Sequence, residues 1–510
     1  MYPGVHAVTR PAHPALVMAG SGAAISYAEL NRRSIRLARV FDALGLSSAA
    51  VVAVACENRL EWAEMIWAAA RSGRCLAPVN WHLGPRELSD VLRASGAELL
   101  LAGPASHAAL RAVDDLPPTL AIDGDGTLPD YKSAIAAMPD GPLAGERLGG
   151  RMMFSSGTTG TPKGILHPGS DIHPADAPPH LGRYTELFVF GGDMVYLSPA
   201  PTYHTAPFRF VLAVTQLGGT VVCLEKFDPQ LVLAAIERYR VTHAQFVPTM
   251  LLRLLRLPDD VKRRYDLSSL RVAITGGAPC PHEVKMRLMD WWGPVVHELY
   301  GASESYGNCH IGPDEVAAHP GSVGRALTGT IHITDPDGTE LPPGRIGTVW
   351  FEGAGSFEYR GDERKTQESM HPRGWRTVGD MGYLDEDGYL YLTGRRDQLI
   401  ICGGVNIHPQ EAEDVLLVHP AVEDVAVIGI PDEEYGQIPH ALVVPACDAA
   451  PGPELGTRLI AYCRARLAHY KCPRSVEFVS ELPRGENGKL YKRKLTPGTS
   501  TGGERQQLVS

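Results

Sequence analysis

The chain predicts an α/β fold: a large N-terminal domain of parallel-sheet α/β subdomains with a small β-barrel-like unit, followed by a small C-terminal α+β domain. Three observations carry this. Short apolar runs alternate with segments of helical period as far as Val247, which is the pattern of crossover units under a mostly parallel sheet. From Gly321 to Glu352 the pattern changes to short β segments split by Asp-Pro-Asp-Gly and Pro-Pro-Gly turns. After Arg396 a self-sufficient α/β pattern begins again.

The elements follow in order. Ser26 to Glu29 is a capping-box pattern, and Leu30, Leu37, Ala38, Phe41 and Leu44 recur at helical spacing, so a helix is expected over Tyr27 to Leu44. Strands are expected at Val51–Ala55, Cys75–Val79 and Leu99–Ala102, with helices at Leu60–Ala70 and Arg86–Arg93 between them. Val195–Pro199 reads as a strand entering a proline-bounded turn, Pro201–Pro207, that holds His204. Strands at Gly218–Leu224 and Thr242–Val247 flank a helix at Leu231–Tyr239, and an apolar helix follows at Pro248–Leu257. Leu270–Gly277 and Val295–Glu304 each read as a strand feeding a glycine turn, where open α/β sheets place ligands. Asp385–Thr393 gives a hairpin. Beyond it come Leu399–Cys402, a proline-started helix from Pro409, and strands at Val425–Ile430 and Ala441–Pro445. The expected division is residues 1–396, 397–495 and a loose polar tail, 496–510.

Composition narrows the function. At 510 residues the chain exceeds one compact core, and 44% hydrophobic with 21% charged residues is ordinary for a globular protein. A net charge of −10 argues against a general nucleic-acid role, which needs clustered Lys and Arg. Nine scattered cysteines without a C-x-x-C pair read as reduced thiols, and no apolar run is long enough to span a bilayer, so a cytoplasmic protein without membrane insertion is expected. The sequence leaves the oligomeric state open, a homodimer included.

The densest cluster of small, hydroxylated and conformationally free residues is RMMFSSGTTGTPKGILH, Arg151 to His167. A strand ends near Phe154, and Ser155, Ser156, Gly157, Thr158, Thr159 and Gly160 then offer inward N–H groups and hydroxyls that suit a polyphosphate, with Lys163 as the positive charge. The Walker pattern is excluded, because Lys163 stands between Pro162 and Gly164. The string SSGTTGTPKG resembles, position for position, the signature loop of the adenylate-forming enzymes, and the ordered motifs that follow are similar to its acyl-CoA synthetase and fatty-acid–CoA ligase branch.

Five further strings match in order. GGAP, with Gly277, Ala278 and Pro279, resembles the segment lining the nucleotide and acyl pocket. YGASE resembles the family's Y-G-x-T-E: Tyr300 and the neighbouring Glu298 fall at the nucleotide site, Ser303 keeps the hydroxyl of the usual threonine, and Glu304 matches the magnesium-associated glutamate. Asp380 aligns with the carboxylate that holds the ribose hydroxyls and Arg395 with a nucleotide-contacting arginine. Asp397 falls at the family's hinge, Gly403 and Gly404 on the pantetheine side, and Lys489 at the catalytic lysine. His204 resembles the aromatic gate of the acyl pocket, beside its reading as a structural histidine. Lys471 and Arg474 are either contacts for coenzyme A phosphates or solvated surface charge. Ala302 and the run Arg484–Asn487 depart from the usual pattern.

The resemblance implies ATP, Mg2+ and coenzyme A as the small molecules used, an apolar carboxylic acid (fatty, aryl or steroid-derived) as substrate, and a C-terminal domain that moves between two half-reactions. Transfer of the acyl group to a carrier protein, or a non-catalytic nucleotide-binding role, are the alternatives.

Overall fold

The computed structural model describes residues 1–155, 163–353, 355, 357–359, 362–485 and 490–495. The chain forms two compact units. One comprises Met1–Phe246, Arg253–Ile274 and Ser356–Gln367, the other Val247–Leu252, Thr275–Gly355 and Glu368–Ser510.

In the first unit, β1 (Pro14–Met18) and β2 (Ala24–Ser26) precede β3 (Val51–Ala55), β4 (Cys75–Val79), β5 (Ala97–Ala102), β6 (Thr119–Ala121), β7 (Arg151–Ser155) and β8 (Lys163–His167). A six-stranded sheet runs in the order β6-β5-β3-β4-β7-β8, parallel except for the last pair. Its central strands are buried at every position, as expected of parallel strands covered on both faces. Each fully buried valine or leucine there is worth about 1.5–3 kcal/mol of transfer free energy. Ser26 caps the helix Tyr27–Ala43 by accepting from Glu29 N at 3.3 Å, so the capping-box expectation holds. The helix Glu61–Arg71 is buried on all sides, and its deepest carboxylate, Glu64, accepts from Arg33 Nη2 at 3.0 Å and from the Tyr131 hydroxyl at 2.7 Å.

A second parallel set in this unit joins β9 (Val195–Ser198), β10 (Thr220–Cys223) and β11 (His243–Phe246) to the N-terminal hairpin, in the order β11-β9-β10-β1-β2. The segment expected as a turn around His204 instead starts a helix, Thr205–Leu217, with His204 at its N-cap position. Pro207 suggested an interruption, but a proline in a first helical turn costs no hydrogen bond. β12 (Val272–Gly276) carries the chain from the first unit into the second, the boundary falling after Ile274.

The second unit holds β13 (Val296–Gly301), β14 (Asn308–Ile311) and β15 (Arg325–Thr328), paired antiparallel. The barrel-like unit takes the form of a four-stranded antiparallel sheet, β16 (Thr330–Thr334), β17 (Gly347–Glu352), β18 (Asp380–Leu384) and β19 (Leu390–Arg395). Its hairpin sits earlier than Asp385–Thr393 suggested. Asp385 Oδ1 accepts from the amides of Asp387 and Tyr389 at 3.0 and 2.8 Å, so the acidic run is the turn and the first strand begins at Asp380. The C-terminal α+β part pairs β20 (Ile400–Cys402), β21 (Val405–Ile407), β22 (Val422–Asp432) and β23 (Gly436–Pro445) in the order β21-β20-β23-β22, with β24 (Ser475–Phe478) parallel to β23. Helices Pro409–Leu417 and Pro453–Arg464 pack on it through Leu416, Leu455 and Leu459.

Candidate active site

The residues expected to form the phosphate loop, Ser156, Gly157, Thr158 and Thr159, and Lys489 in the C-terminal segment, lie outside the described residues. What flanks the loop is fixed: β7 ends at Ser155, β8 begins at Lys163, and these two residues are paired in register. The paired strands bury Met152 and Met153. Also in the first unit, Asn58 anchors the approach to His204. It accepts from Thr202 N and Oγ1 at 2.8 and 2.9 Å and donates to the carbonyls of Ala200 and Leu224 at 3.1 and 2.8 Å, which uses its full amide capacity. The His204 Nε2 atom is buried and has no hydrogen-bond partner among the described residues. Burial, with His82 adding repulsion, pushes the imidazole pKa down to about 3, so the ring is neutral at physiological pH.

In the second unit the expected residues converge on Asp380. It opens β18 and stands opposite Arg395 in the β18–β19 register. The Tyr300 hydroxyl donates to Asp380 Oδ2 at 2.6 Å, and Arg395 Nε donates to Oδ1 at 3.2 Å while its Nη2 holds Val378 O at 2.8 Å. Since the Tyr300 proton goes to Asp380, the 2.5 Å contact between Tyr300 and Tyr306 is a donation from Tyr306. Burial and the Asp380 charge hold both phenols far above their usual range, so they act as donors. Burial opposes the charge on Arg395, but Asp380, Asp397 and Glu304 act on it in the other direction and keep it firmly protonated. Glu304 thus sits within electrostatic reach of Arg395 and Tyr306 and is itself buried.

Backbone shape around Glu304 depends on special residues. Ser305 adopts φ +54°, and at Gly307 a Cβ would meet Phe351 Cδ1 at 2.1 Å, so glycine is what lets the Tyr306 turn close against that ring. Gly277 follows β12 with φ +82°, and Pro279 beside it is exposed, with Ala278 half-buried between them. Asp397 accepts from Arg493 Nη2 at 3.0 Å. Gly403 and Gly404, at φ +55° and +79°, turn the chain between β20 and β21, and Gly403 N donates to Tyr435 O at 2.8 Å. Arg474 lies 4.0 Å over the Tyr435 ring, whereas Lys471 is bound to Glu411 at 2.5 Å.

Glu298 is placed differently from its neighbours. It is 3% exposed and forms a buried ion pair with Lys285, whose ammonium also reaches Ser322 O at 3.5 Å. Burial pushes the carboxyl up and Lys285 opposes it. The helix His282–Trp292 that brings Lys285 was missing from the sequence reading. So was the Tyr300–Tyr306 relay; a tyrosine two residues past the YGASE string was its only signal. Among the described residues no group of three or more His, Cys, Asp or Glu is arranged to hold a metal. A buried carboxylate such as Glu304 suits Mg2+, which takes one or two carboxylates and completes its shell with phosphate and water.

Residues 5–359 match the family described as AMP-binding enzyme, and residues 411–489 match AMP-binding enzyme C-terminal domain. The chain belongs to the AMP-binding enzyme family. A feruloyl-CoA synthase of Amycolatopsis sp is 35% identical to it over 478 residues, 92% of this chain and 93% of the relative. The long-chain-fatty-acid–CoA ligase FadD13 of Mycobacterium tuberculosis is 32% identical over 496 residues, 96% of each chain. Among solved structures, the o-succinylbenzoate CoA synthetase of Bacillus subtilis in complex with its acyl-adenylate superposes with a TM-score of 0.83 at 27% identity, covering 99% of both chains. This AMP-binding enzyme is therefore a ligase of the acyl-CoA synthetase branch of the adenylate-forming superfamily, whose acyl-CoA ligases use ATP and coenzyme A. Among its described residues, no helix is long and apolar enough to cross a membrane.

Proposed function

We propose that this enzyme is an ATP-dependent ligase that converts an apolar carboxylic acid, fatty, aryl or steroid-derived, to its coenzyme A thioester through an acyl-adenylate, releasing AMP and pyrophosphate. The observation that supports it most is the doubly held Asp380 carboxylate, with Glu304 near the same arginine.

The chemistry follows from charge. A carboxylate must attack the α-phosphorus of ATP, and the two reactants repel. Asp380, oriented by Tyr300 and Arg395, fixes the ribose hydroxyls so that the phosphate chain enters in one direction. Lys163 and the hydroxyls of Ser155, Ser156, Thr158 and Thr159, with the amide of Gly157, offset the pyrophosphate charge. Glu304 would hold Mg2+, which would supply further neutralisation of the leaving group. Lys489 bridges the incoming carboxylate and the phosphate. Gly277, Ala278 and Pro279 wall the nucleotide, with Ser303 beside the β13 turn, while Glu298 shapes that wall through Lys285. His204, neutral and desolvated, borders the acyl pocket.

The adenylate is a mixed anhydride, and a thiolate displaces AMP from it. In this reading the domains meet at residues 396/397, Asp397 is the hinge, and rotation withdraws Lys489 and brings Gly403 and Gly404 to the pantetheine path. The enzyme works in the cytoplasm, in keeping with nine cysteines that form no disulfide with one another. AMP release from a panel of fatty, aryl and steroid-derived acids, with and without coenzyme A, tests the proposal. Coenzyme-dependent turnover of an apolar acid is expected; turnover only with a phosphopantetheinyl carrier protein, or with none of the acids, would sink it.

A further inference from the structure

Residues 302–307 join β13 to β14, and Gly301 and Asn308 on either side of them are paired in register. This loop is tightly constrained. Ser305 holds φ +54°, a region that a residue with a Cβ rarely adopts. Gly307 lies so close to Phe351 that a Cβ would meet the ring at 2.1 Å. Between them Tyr306 is 0% exposed, its ring set edge-on to Phe351 at a centroid distance of 5.2 Å and an angle of 81°. A buried phenol needs a partner for its hydroxyl, and unusual backbone persists only where its surroundings hold it. Here both requirements meet at the Tyr306 hydroxyl, which lies 2.5 Å from that of Tyr300.

Each proton in this relay has one place to go. An ionised Asp380 has none to give, so Tyr300 donates to its Oδ2 at 2.6 Å and Tyr306 donates to Tyr300. The reverse order would turn the Tyr300 proton toward Tyr306 and leave Asp380 Oδ2 facing a phenol lone pair. Burial and the Asp380 charge raise both phenols, so neither loses its proton at neutral pH. A hydroxyl that accepts one hydrogen bond donates a stronger one, and Tyr306 therefore strengthens the hold of Tyr300 on the carboxylate. The other oxygen accepts from Arg395 Nε at 3.2 Å. An ionised carboxylate offers about four acceptor positions. Tyr300 and Arg395 fill one on each oxygen, and 17% of the Asp380 side chain is still exposed. One further position on each oxygen is what a pair of neighbouring hydroxyls requires.

We infer that Tyr306 is a positioning residue for the nucleotide: through Tyr300 it sets the Asp380 carboxylate, so that the site selects a nucleotide with both ribose hydroxyls over one that lacks them. The inference rests on the proposed reading of Asp380 as the ribose contact, and it adds a residue that acts only through another. Tyr306 is two residues beyond Glu304 in the same loop, so its hydroxyl bond also ties down the segment that carries Glu304.

The test is calorimetric titration of AMP and of 2′,3′-dideoxy-AMP into the full chain, in wild type, Asp380→Asn, Tyr300→Phe, Tyr306→Phe and the double phenylalanine variant. Wild type is expected to bind AMP about tenfold or more tighter than the dideoxy probe, and Asp380→Asn to lose that preference. Tyr306→Phe removes a single oxygen; it should cut the preference about three- to tenfold while its affinity for the dideoxy probe stays within about twofold of wild type. Because Tyr306 acts through Tyr300, the double variant should lose no more than Tyr300→Phe alone. Equal weakening of both probes in Tyr306→Phe would make the residue structural and overturn the inference, as would an undiminished preference. A preference kept in Asp380→Asn would instead refute the ribose reading itself, and the inference with it. Should Tyr306→Phe fail to fold, Tyr300→Phe cuts the same relay one step nearer the carboxylate, and a wild-type preference there is the contradicting result.

Discussion

Asp380 shows how strand register surrounds one carboxylate with donors. As the first residue of β18 it lies opposite Arg395, and each of its oxygens has its own donor. Asp380→Asn removes the charge those donors were arranged around, so kcat/KM for ATP should fall about 10–100-fold in pyrophosphate exchange while the melting temperature moves little; an unchanged kcat/KM would mean that the carboxylate is structural. His204 gives a pH prediction. Its folded pKa of about 3 lies below the unfolded value near 6.5, so the unfolded state takes up the proton first. The contribution to stability is complete above about pH 6.5 and is lost as pH falls toward 3, at up to about 1.4 kcal/mol per pH unit. Urea denaturation at pH 7 and pH 5 should show His204→Asn, a non-titrating residue suited to the N-cap, losing less on acidification than wild type. At this scale the sequence was informative where a motif fixed the residue type, as for Asp380, Arg395 and Glu304. It was silent on Asn58 and Lys285, whose roles arise only when distant segments meet.

Elements were legible where period and burial agree. Val51–Ala55 and Cys75–Val79 appear with the expected bounds because wholly apolar strands admit one reading. The helix after His204 was not legible, because Pro207 is a breaker inside a helix and harmless in its first turn, and the sequence does not say where the turn begins. The helix His282–Trp292 escaped because charged residues interrupt its apolar ones, with Lys285 turned inward to a carboxylate on β13. That pair carries a prediction of its own. Lys285→Met leaves Glu298 buried without its cation and should cost about 3–5 kcal/mol by chemical denaturation, whereas Lys285→Met with Glu298→Gln should recover most of the loss. A single variant as stable as wild type would show that the carboxyl is already neutral in the folded chain.

For the whole molecule, class and order were readable from composition and from six motifs in sequence, and the family match over residues 5–359 and 411–489 bears that out. The acid was not readable, since the setting of a candidate pocket residue such as His204 depends on Asn58, which ties Ala200, Thr202 and Leu224 together from a distant segment. The proposed division of labour gives a paired expectation: Lys489→Ala loses adenylate formation and keeps thioester formation from a supplied acyl-adenylate, and Asp397→Pro does the reverse. Equal loss of both steps in both variants would remove the two-state reading. The most direct measurement is exchange of labelled pyrophosphate into ATP in the absence of coenzyme A. Exchange that depends on an added carboxylic acid and vanishes in Lys489→Ala is predicted; exchange without any acid, or at the wild-type rate in that variant, would contradict adenylation at this site.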